Sequence, residues 1–599
     1  MSYALDLAAR GIEFIRLEAN ECPALPQDQQ DSLEFFDLCY RTLCSVMFNH
    51  ASSGHPGGSV SSGRIVQSLV FNRMDYDIGN PMDRTADILS YAAGHKALGL
   101  YAMSALRNEV VRLVDPDRLP AEVRQQMRLE DLLGFRKNPI TATPLFREFG
   151  AKPLDGHPTP ETPFVWLSTG PSGVGVASSV GLALTLKDMH RENAPAVHVI
   201  EGEGGMTPGR VAEALASAAT SGLDNLYFHV DWNQASIDSN AVTRDGAAPG
   251  EYVQWDPCEF LLMHGFNVIY VPDGFDFGQI REAQKRAEAL DNGRPTGIVY
   301  RTVKGWQYGI EGCKSHGAGH GFYSDEYLES LRPFEEKTGI RFPRYDGAKD
   351  AVRIEQAYYE SLLAIRNAFE NHMALTRQLG DWVVNAGQRL ADAPRPLRDD
   401  APQLARLYAD GAISPYERPA DCRYDAGSKQ TLRGALSQVL NEVNKLTGGA
   451  VLAAAADLYG STNVSGITKG MGSGFWHPAT NPESRLFSGG GITEDAIGGI
   501  CSGIATMGHQ IGVGSSYGAF IAPLNVIAAK THGIGMQTMR HRTPDEPNKT
   551  FVVICGHAGV KTGEDGPTHA EPQALQIFQE NFPGDVMVLS LIHISEPTR

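Results

Sequence analysis

Oxygen-bearing groups follow two apolar runs of the sequence, at the points where predicted strands end. Glu203 lies in GEGGMTPG after the run AVHVI, and Asn233 lies in DWNQASID after the run LYFHV. With the backbone carbonyl of Ala235, they offer the oxygen ligands that Mg²⁺ or Ca²⁺ prefers. The flexible backbone around Gly204 would let N–H groups approach a phosphate at the next helix start. The pattern predicts a metal and diphosphate site, with a glycine-rich turn that binds nothing as the alternative.

Two other phosphate-binding motifs are excluded by the residues present. A dinucleotide fingerprint needs glycine at the sixth position of GEGGMT, where the sequence has Thr207. A Walker loop needs Gly-Lys followed by Ser or Thr, whereas GSVSSGR ends in Arg64. Neither common nucleotide-binding loop is therefore predicted.

A second pattern consists of histidines in glycine-containing turns. Small neighbours let a ligand approach closely, and an imidazole can both donate and accept hydrogen bonds near neutral pH. A single histidine of this kind is usually a surface or structural residue, but several at predicted strand ends favour a shared site. The histidines are His55, His95, His157, His316, His320 and His569.

The amino-acid composition excludes some classes of binding partner for this protein. The 599 residues include 52 basic and 70 acidic side chains, which gives a formal net charge of −18. This acidic balance argues against nucleic acid and gives no reason to expect an anionic membrane surface as partner. No apolar run approaches the ~18 residues of a membrane span, and the N-terminal residues do not form a secretory signal. Eight scattered cysteines predict reduced thiols in a cytoplasmic protein.

The pattern of apolar residues predicts an α/β protein. Residues 33–115 are expected to be mainly helical, and from about residue 164 short apolar runs alternate with helical stretches such as 210–221. Such alternation is typical of a parallel sheet with helices on both faces. Two helices are predicted over 350–392, and a proline-rich connection over 393–425. The predicted strands are 196–200, 226–230, 267–271 and 297–300, followed in a second α/β region by 450–456, 485–488, 511–514, 551–555 and 585–590.

The last residues, 591–599, read LIHISEPTR, which resembles a translated sequencing adaptor. We interpret them as a non-native tail, with a frayed natural terminus as the alternative. The preceding segment stops in mid-strand without a closing helix, which predicts a second domain that is incomplete.

Taken together, the motifs resemble those of the transketolase family over nearly the whole chain. SGHPGG, DILSYAAGH, TGPSGVG, SHG, ADL, GITEDAIGGICSGIA and GEDGPTH occur in family order. The resemblance implies thiamine diphosphate and Mg²⁺ as cofactors, bound between two α/β domains of different subunits in a homodimer. It implies a diphosphate-binding domain over 1–392 and a truncated pyrimidine-binding domain over 426–590, with the family's third domain absent.

The resemblance also implies a role for each matching residue. Glu494 would be the catalytic carboxylate facing the aminopyrimidine ring of the cofactor, and His55 and His569 would share in catalysis. The implied metal ligands are Glu203, Asn233 and Ala235. The implied cofactor contacts are His95, Gly170, Ser172, Gly204, Asn233, His316, Asp457 and Phe520. The implied substrate contacts are His55, His157, Asp565 and His569.

The implied reaction transfers a two-carbon ketol unit from a ketose phosphate to an aldose phosphate, as in the pentose phosphate pathway. Several departures keep alternatives open. Glu203 stands where the family usually has Asp, and Pro208 replaces a Glu. GITED and KGWQYG are similar to the decarboxylase component of pyruvate dehydrogenase, so a 2-oxo acid decarboxylase is one alternative. Only Lys429 and Thr468 are local candidates for gripping a sugar phosphate, and an inactive cofactor-binding homologue is the other alternative.

Overall fold

The computed structural model describes residues 6–571 except 138–139, 346, 348–349, 410, 413, 415–416, 548 and 557–564. Within these residues the chain forms two parallel β-sheets with helices packed on them. The predicted α/β class is confirmed. The predicted strand 585–590 and the tail 591–599 lie outside the described residues.

The first sheet has six strands, all parallel, in the order β1-β5-β6-β4-β3-β2. They are β1 (Phe14–Arg16), β2 (Ile88–Tyr91), β3 (Val197–Gly202), β4 (Leu226–Trp232), β5 (Asn267–Val271) and β6 (Thr296–Arg301). The four strands predicted from apolar runs are confirmed within one or two residues at each end. The prediction missed β1 and β2, and the segment 33–115 that contains β2 is otherwise mainly helical, as predicted. Both are short, and each is defined by pairing with a distant strand.

Helices cover both sheets and build a helical layer around the start of the chain. The first half contains α1 (Gln27–Ala51), α2 (Pro56–Ser61), α3 (Gly63–Ser68), α4 (Ala97–Val114), α5 (Pro144–Phe149), α6 (Val174–His190), α7 (Gly209–Thr220), α8 (Pro257–Met263) and α9 (Phe277–Glu288). Then follow α10 (Asp325–Thr338), α11 (Ala351–Asn371), α12 (Met373–Asp392), α13 (Leu432–Thr447), α14 (Glu494–Thr506) and α15 (Ile521–Arg542). The predicted helix pair is confirmed as α11 and α12, which meet at His372.

The second sheet contains three described strands in the order β7-β8-β9. They are β7 (Val451–Ala455), β8 (Ile511–Tyr517) and β9 (Val552–Gly556), all parallel. The strand predicted at 485–488 is reduced to a single bridge between Ala453 and Leu486. The backbone hydrogen bonds of this bridge run from the N–H of Ala453 to the carbonyl of Arg485 and from the N–H of Phe487 to the carbonyl of Ala453.

The two sheets share one hydrophobic core through α6 and α14. Glycines allow these helices to touch backbone to backbone: a Cβ atom at Gly181 would overlap the carbonyl oxygen of Ile500, and one at Gly503 would overlap that of Ser178. Between the sheets, described residues of the predicted connection 393–425 form only short 3₁₀ turns. The domain boundaries themselves stay predictions.

Candidate functional site

Four loops bring polar side chains together at the carboxyl-terminal edge of the first sheet. His95 follows β2, Glu203 follows β3, Asn233 follows β4 and Lys304 follows β6. Parallel strands all end at the same edge, which is where open α/β sheets bind ligands. The fold therefore places the predicted metal and diphosphate residues where a ligand would lie.

Glu203 is almost completely buried, with 1% of its surface exposed. Its Oε2 accepts a hydrogen bond from the backbone N–H of Asn233 at 3.2 Å. Its Oε1 is buried and has no hydrogen-bond partner among the described residues. Burial, followed by the nearby charge of Asp231, raises the pKa of Glu203 to about 7. A buried carboxylate oxygen without a partner is costly to leave unmatched, so this atom fits a cation.

The other two predicted metal ligands lie beside Glu203, but their oxygens already accept hydrogen bonds. Oδ1 of Asn233 accepts from the backbone N–H of Ala235 at 3.0 Å. The carbonyl oxygen of Ala235 accepts from Nζ of Lys304 at 2.8 Å. The three predicted ligands are therefore neighbours, and a lysine ammonium lies on one of them.

Lys304 was not among the predicted site residues. It is 3% exposed, and its Nζ also donates to Nδ1 of His316 at 2.6 Å. Burial lowers the pKa of Lys304 to about 8, against the opposing charge of Glu203. In the sequence Lys304 begins the segment KGWQYG, whose resemblance to another enzyme is the only local signal at this position.

A buried ion pair between Lys96 and Asp231 supports the same edge and was also not predicted. Their charged atoms are 2.7 Å apart, with the side chains 1% and 0% exposed. Asp231 accepts further hydrogen bonds from Ser61 and Thr302. Burial alone would raise the pKa of Asp231, but the Lys96 charge and these hydrogen bonds lower it overall. This carboxylate has all the partners that it needs and is anionic.

Three of the predicted histidines form a cluster next to Lys304. The ring centroids of His55 and His316 are 5.0 Å apart, those of His95 and His316 5.4 Å, and those of His55 and His95 5.7 Å. Burial and neighbouring positive charges lower the pKa of His316 to about 4 and that of His95 well below its usual range. Burial also lowers the pKa of His55. The cluster is therefore neutral at pH 7.

Hydrogen bonds select the tautomer of two of these rings. Nδ1 of His55 donates to the carbonyl oxygen of His316 at 2.9 Å, since a carbonyl can only accept. Nδ1 of His316 accepts from Lys304, so its proton lies on Nε2. His55 thus offers an acceptor at Nε2, and His316 offers a donor at Nε2.

The remaining predictions on the first half of the chain fall on turns that are exposed or partly buried. His157 is exposed and lies against Gly170, where a Cβ atom would come within 3.3 Å of its ring. Ser172 is exposed just before α6, and a Cβ at Gly204 would meet no atom within 4 Å. Gly204 therefore leaves open space that a phosphate group can approach, whereas the Cβ position of Gly170 faces the ring of His157.

A second group of predicted residues lies on the second sheet. Glu494 is the first residue of α14, and its Oε1 accepts a hydrogen bond from Ser516 of β8 at 3.0 Å. The rings of Phe520 and His569 meet edge to face at 5.2 Å. Asp457 and Asp565 are exposed, and Asp457 has a φ of 56°. One chain therefore carries its predicted residues in two groups, one on each sheet.

Two classes of feature are absent from the described residues. They contain no group of three or more His, Cys, Asp or Glu side chains arranged to hold a metal ion. A cation at Glu203 would thus need amide, carbonyl and ligand oxygens. None of the helices described here combines the length and the apolar character that crossing a bilayer requires.

Comparison with known proteins identifies related domains in both halves of the chain. The family model "Transketolase, thiamine diphosphate binding domain" matches residues 124–334, and "Transketolase, pyrimidine binding domain" matches residues 428–587. The transketolase of Physarum polycephalum is 25% identical over 534 residues, 87% of this chain and 68% of that protein. Transketolase-like protein 2 of Mus musculus is 26% identical over 564 residues, 94% of this chain and 70% of that protein.

Solved structures show the same fold. Transketolase from Leishmania mexicana superimposes with a TM-score of 0.63 at 22% identity, covering 92% of this chain and 72% of that one. A Pichia stipitis transketolase in complex with sedoheptulose-7-phosphate gives 0.63 at 21% identity, with the same coverage.

Proposed function

Because the chain belongs to the transketolase family, we propose that it transfers a two-carbon ketol unit from a ketose phosphate to an aldose phosphate. The observation that carries this proposal is the packing of His55, His95 and His316 beside the buried Glu203–Asn233 pair at one sheet edge. A polyhydroxylated substrate needs several polar contacts close to its cofactor, and this edge supplies them.

The residues fit thiamine diphosphate and a divalent cation in most respects. Glu203 and Asn233, with the carbonyl of Ala235, would hold Mg²⁺ or Ca²⁺, and the unmatched Oε1 of Glu203 is the clearest sign of a missing cation. The diphosphate would lie near the open backbone of Gly204, with Gly170 as a further proposed contact. Other contacts would come from His95, Ser172 and His316, and on the pyrimidine side from Asp457 and Phe520. When bound, the cofactor supplies an electron sink for carbon–carbon bond cleavage.

Glu494 is proposed to hold a proton at the pyrimidine ring. Ser516 donates to Oε1 of Glu494 and fixes the orientation of its carboxylate, leaving Oε2 to face a ring nitrogen. A carboxylate held in place in this way stabilises the charge that develops there.

The tautomers of His55 and His316 suit a substrate hydroxyl. Such a group can donate to Nε2 of His55 or accept from Nε2–H of His316, two rings whose centroids are 5.0 Å apart. His157, Asp565 and His569 are proposed to bind further hydroxyls. Because burial keeps His55 neutral, it can also accept a proton during the reaction.

A homodimer is proposed as the active form. The chain carries its residues in two groups, and a site between two copies would join the first group of one chain to the second group of the other. The structures of transketolases with sugar phosphates support sugar phosphates as the substrate class. A cytoplasmic location stays a prediction.

One alternative has a specific observation in its favour. Lys304 lies in KGWQYG and Glu494 in GITED, segments similar to the pyruvate dehydrogenase decarboxylase, so a 2-oxo acid is the second candidate substrate. The test is a pair of assays on the purified chain: xylulose 5-phosphate with ribose 5-phosphate, and pyruvate with an artificial electron acceptor. Turnover of the sugars supports the proposal, and turnover of pyruvate alone replaces it with the decarboxylase.

Substituting His157 and His569 separates these substrates further. If both histidines bind sugar hydroxyls, His157→Ala and His569→Ala should each lower kcat/KM for the sugars. The expected loss of transition-state stabilisation is about 1–3 kcal/mol, and pyruvate turnover should stay unchanged. Calorimetric binding of thiamine diphosphate without turnover of either substrate would identify an inactive homologue.

A further inference from the structure

We propose that a cavity between α4, α5 and α11 binds a small organic phosphate. Its volume is about 280 Å³, just below the range of about 300–1,000 Å³ that is typical of small-ligand sites. A small metabolite therefore fits it better than a nucleotide. The lining side chains include Asn108, Glu109, Arg112, Arg128, Glu130 and Arg366.

This cavity is separate from the proposed catalytic site. Asn108 and Arg112 lie in the second half of α4, whose first residue, Ala97, closely follows His95. Because an α-helix rises about 1.5 Å per residue, Asn108 is more than about 15 Å from the start of α4. The inference therefore goes beyond the proposed function and does not rest on it.

The charged side chains that line the cavity, three arginines and two glutamates, sum to +1. Glu109, whose side chain is 0% exposed, accepts hydrogen bonds from Nε of Arg112 at 2.9 Å and from Nε of Arg366 at 2.8 Å. Glu130 accepts one from Arg366 at 2.9 Å. Both carboxylates are therefore already paired with guanidinium groups.

The neighbouring charges leave the interior of the cavity positive. Buried Asp131 pairs with Arg128 at 2.8 Å and with Lys152 at 3.5 Å, so the charges of Asp131 and Lys152 cancel. The exposed Glu370 is 3.6 Å from Arg112, but water and salt screen an exposed charge. The cavity therefore favours an anion.

The cavity also offers hydrogen-bond donors that the protein does not use. In both Arg112 and Arg128, Nε and Nη2 donate to oxygens of the protein, and Nη1 bonds no described residue. Asn108 is 4% exposed, and its side-chain amide has no hydrogen-bond partner in the described part of the chain. A buried polar group of this kind is costly to leave unmatched, so a ligand rich in acceptors would complete the site.

A phosphate group matches these donors better than a carboxylate. Asn108 and Arg112 come from α4, whereas Arg128 precedes the 3₁₀ turn Leu129–Gly134, so the donors belong to two separate elements. A phosphate ester has three acceptor oxygens that point in different directions. A planar carboxylate pairs best with a single guanidinium group. We therefore expect the phosphate to bind Arg112 and Arg128 together.

The experiment compares Arg112→Met with Arg118→Met, which changes an exposed arginine just beyond the end of α4. Binding of glycerol 3-phosphate is measured by calorimetry on the whole chain, with saturating thiamine diphosphate and Mg²⁺ to occupy the proposed catalytic site. We expect the wild type and Arg118→Met to bind equally well. Arg112→Met should bind at least about tenfold more weakly, as expected for a lost charged hydrogen bond.

Asn108→Leu is the second variant, in case Arg112→Met fails to fold. It removes the amide without breaking a hydrogen bond to any described residue, and it should also weaken binding of glycerol 3-phosphate. Phenylglyoxal modification, mapped by mass spectrometry, locates the ligand directly. Glycerol 3-phosphate should slow the modification of Arg112 and Arg128 but not that of Arg118.

Malate, a dianion with two carboxylates and no phosphate, is the comparison ligand. We expect it to bind more weakly than glycerol 3-phosphate, and equal or tighter binding of malate would overturn the choice of a phosphate. No binding of glycerol 3-phosphate to the wild type, or binding that Arg112→Met and Asn108→Leu both leave unchanged, would overturn the site itself. Each of these results leaves the proposed transferase function intact.

Discussion

Asp188 and Glu203 are both buried carboxylates, yet they have opposite surroundings. Asp188, 0% exposed at the end of α6, accepts hydrogen bonds from Arg485 at 2.7 Å, Gln510 at 2.6 Å and Trp476 at 3.1 Å. Glu203 has an oxygen with no partner in the described part of the chain.

Their pKa values follow from these contacts. Burial would raise the pKa of Asp188, but the charge and hydrogen bonds of Arg485 lower it overall. Burial and Asp231 raise the pKa of Glu203 to about 7. Asp188 is thus a structural anion whose hydrogen bonds join the two sheets. Glu203, in contrast, has a carboxylate oxygen for which the described residues provide no partner.

Breaking the Asp188 cluster should have the largest effect. Arg485→Met removes the main partner of a fully buried carboxylate, and we expect the free energy of unfolding to fall by about 3–5 kcal/mol. Urea denaturation of the variant and the wild type measures this. Arg406→Met, at an exposed position, is the control and should change stability by less than about 0.5 kcal/mol. Equal stability of both variants would show that Asp188 is not a structural anion.

Glu494 extends the comparison to the second sheet, as a half-buried carboxylate with one hydroxyl partner. Glu494→Gln should reduce turnover by about 10²–10³ while keeping cofactor affinity within about tenfold. The amide keeps the shape of the side chain but lacks the charge. Steady-state assays and calorimetry test this, with the neighbouring Asp495→Asn as control. Near-wild-type turnover would remove Glu494 from the mechanism.

Two buried histidines, His198 and His229, should make the stability of the protein depend on pH. Burial lowers the pKa of His198 to about 3 and that of His229 well below its usual value, and the two rings are joined at 3.0 Å. Below about pH 6.5 the unfolded chain therefore binds more protons than the folded one. The free energy of unfolding consequently decreases as the pH is lowered. Each histidine should cost about 2 kcal/mol between pH 7 and pH 5.

Replacing His229 with Gln should make that pH dependence smaller by about 2 kcal/mol. Denaturant unfolding at pH 7 and pH 5 measures the difference, and exposed His541→Gln serves as control. An identical pH dependence in His229→Gln and the wild type would contradict the prediction.

The smallest expected effect is on the stability of the metal-free protein, and it should have opposite signs for substitutions of Glu203 and Asp188. Glu203→Gln removes a buried charge that lacks a partner, so the metal-free protein should become more stable by about 1 kcal/mol. Mn²⁺ binding should weaken at the same time. Asp188→Asn should instead lower stability. Thermal unfolding in EDTA compares the two variants, and a loss of stability in both would make Glu203 another structural carboxylate.

The sequence was most informative where local pattern determines structure. The apolar runs predicted β3 to β6 because these strands are buried on both faces, and the strand ends led directly to Glu203 and Asn233. It was least informative where partners are distant. Lys96 and Asp231 are 135 positions apart, and Lys304 is 69 from Ala235. Neither lysine differs locally from an ordinary surface lysine, and only the sheet topology brings them to the site.

The glycine contacts between α6 and α14 have a mechanical consequence. The helices touch at Gly181 and Gly503 with no side chain between them, so there is no compressible layer to absorb a displacement. Helix α6 begins just after the turn with Ser172, and α14 begins at Glu494. The two helices therefore move as one rigid unit, and each begins at or just after a predicted functional residue. A methyl group added at Gly181 would displace both helix starts, including residues that it does not contact.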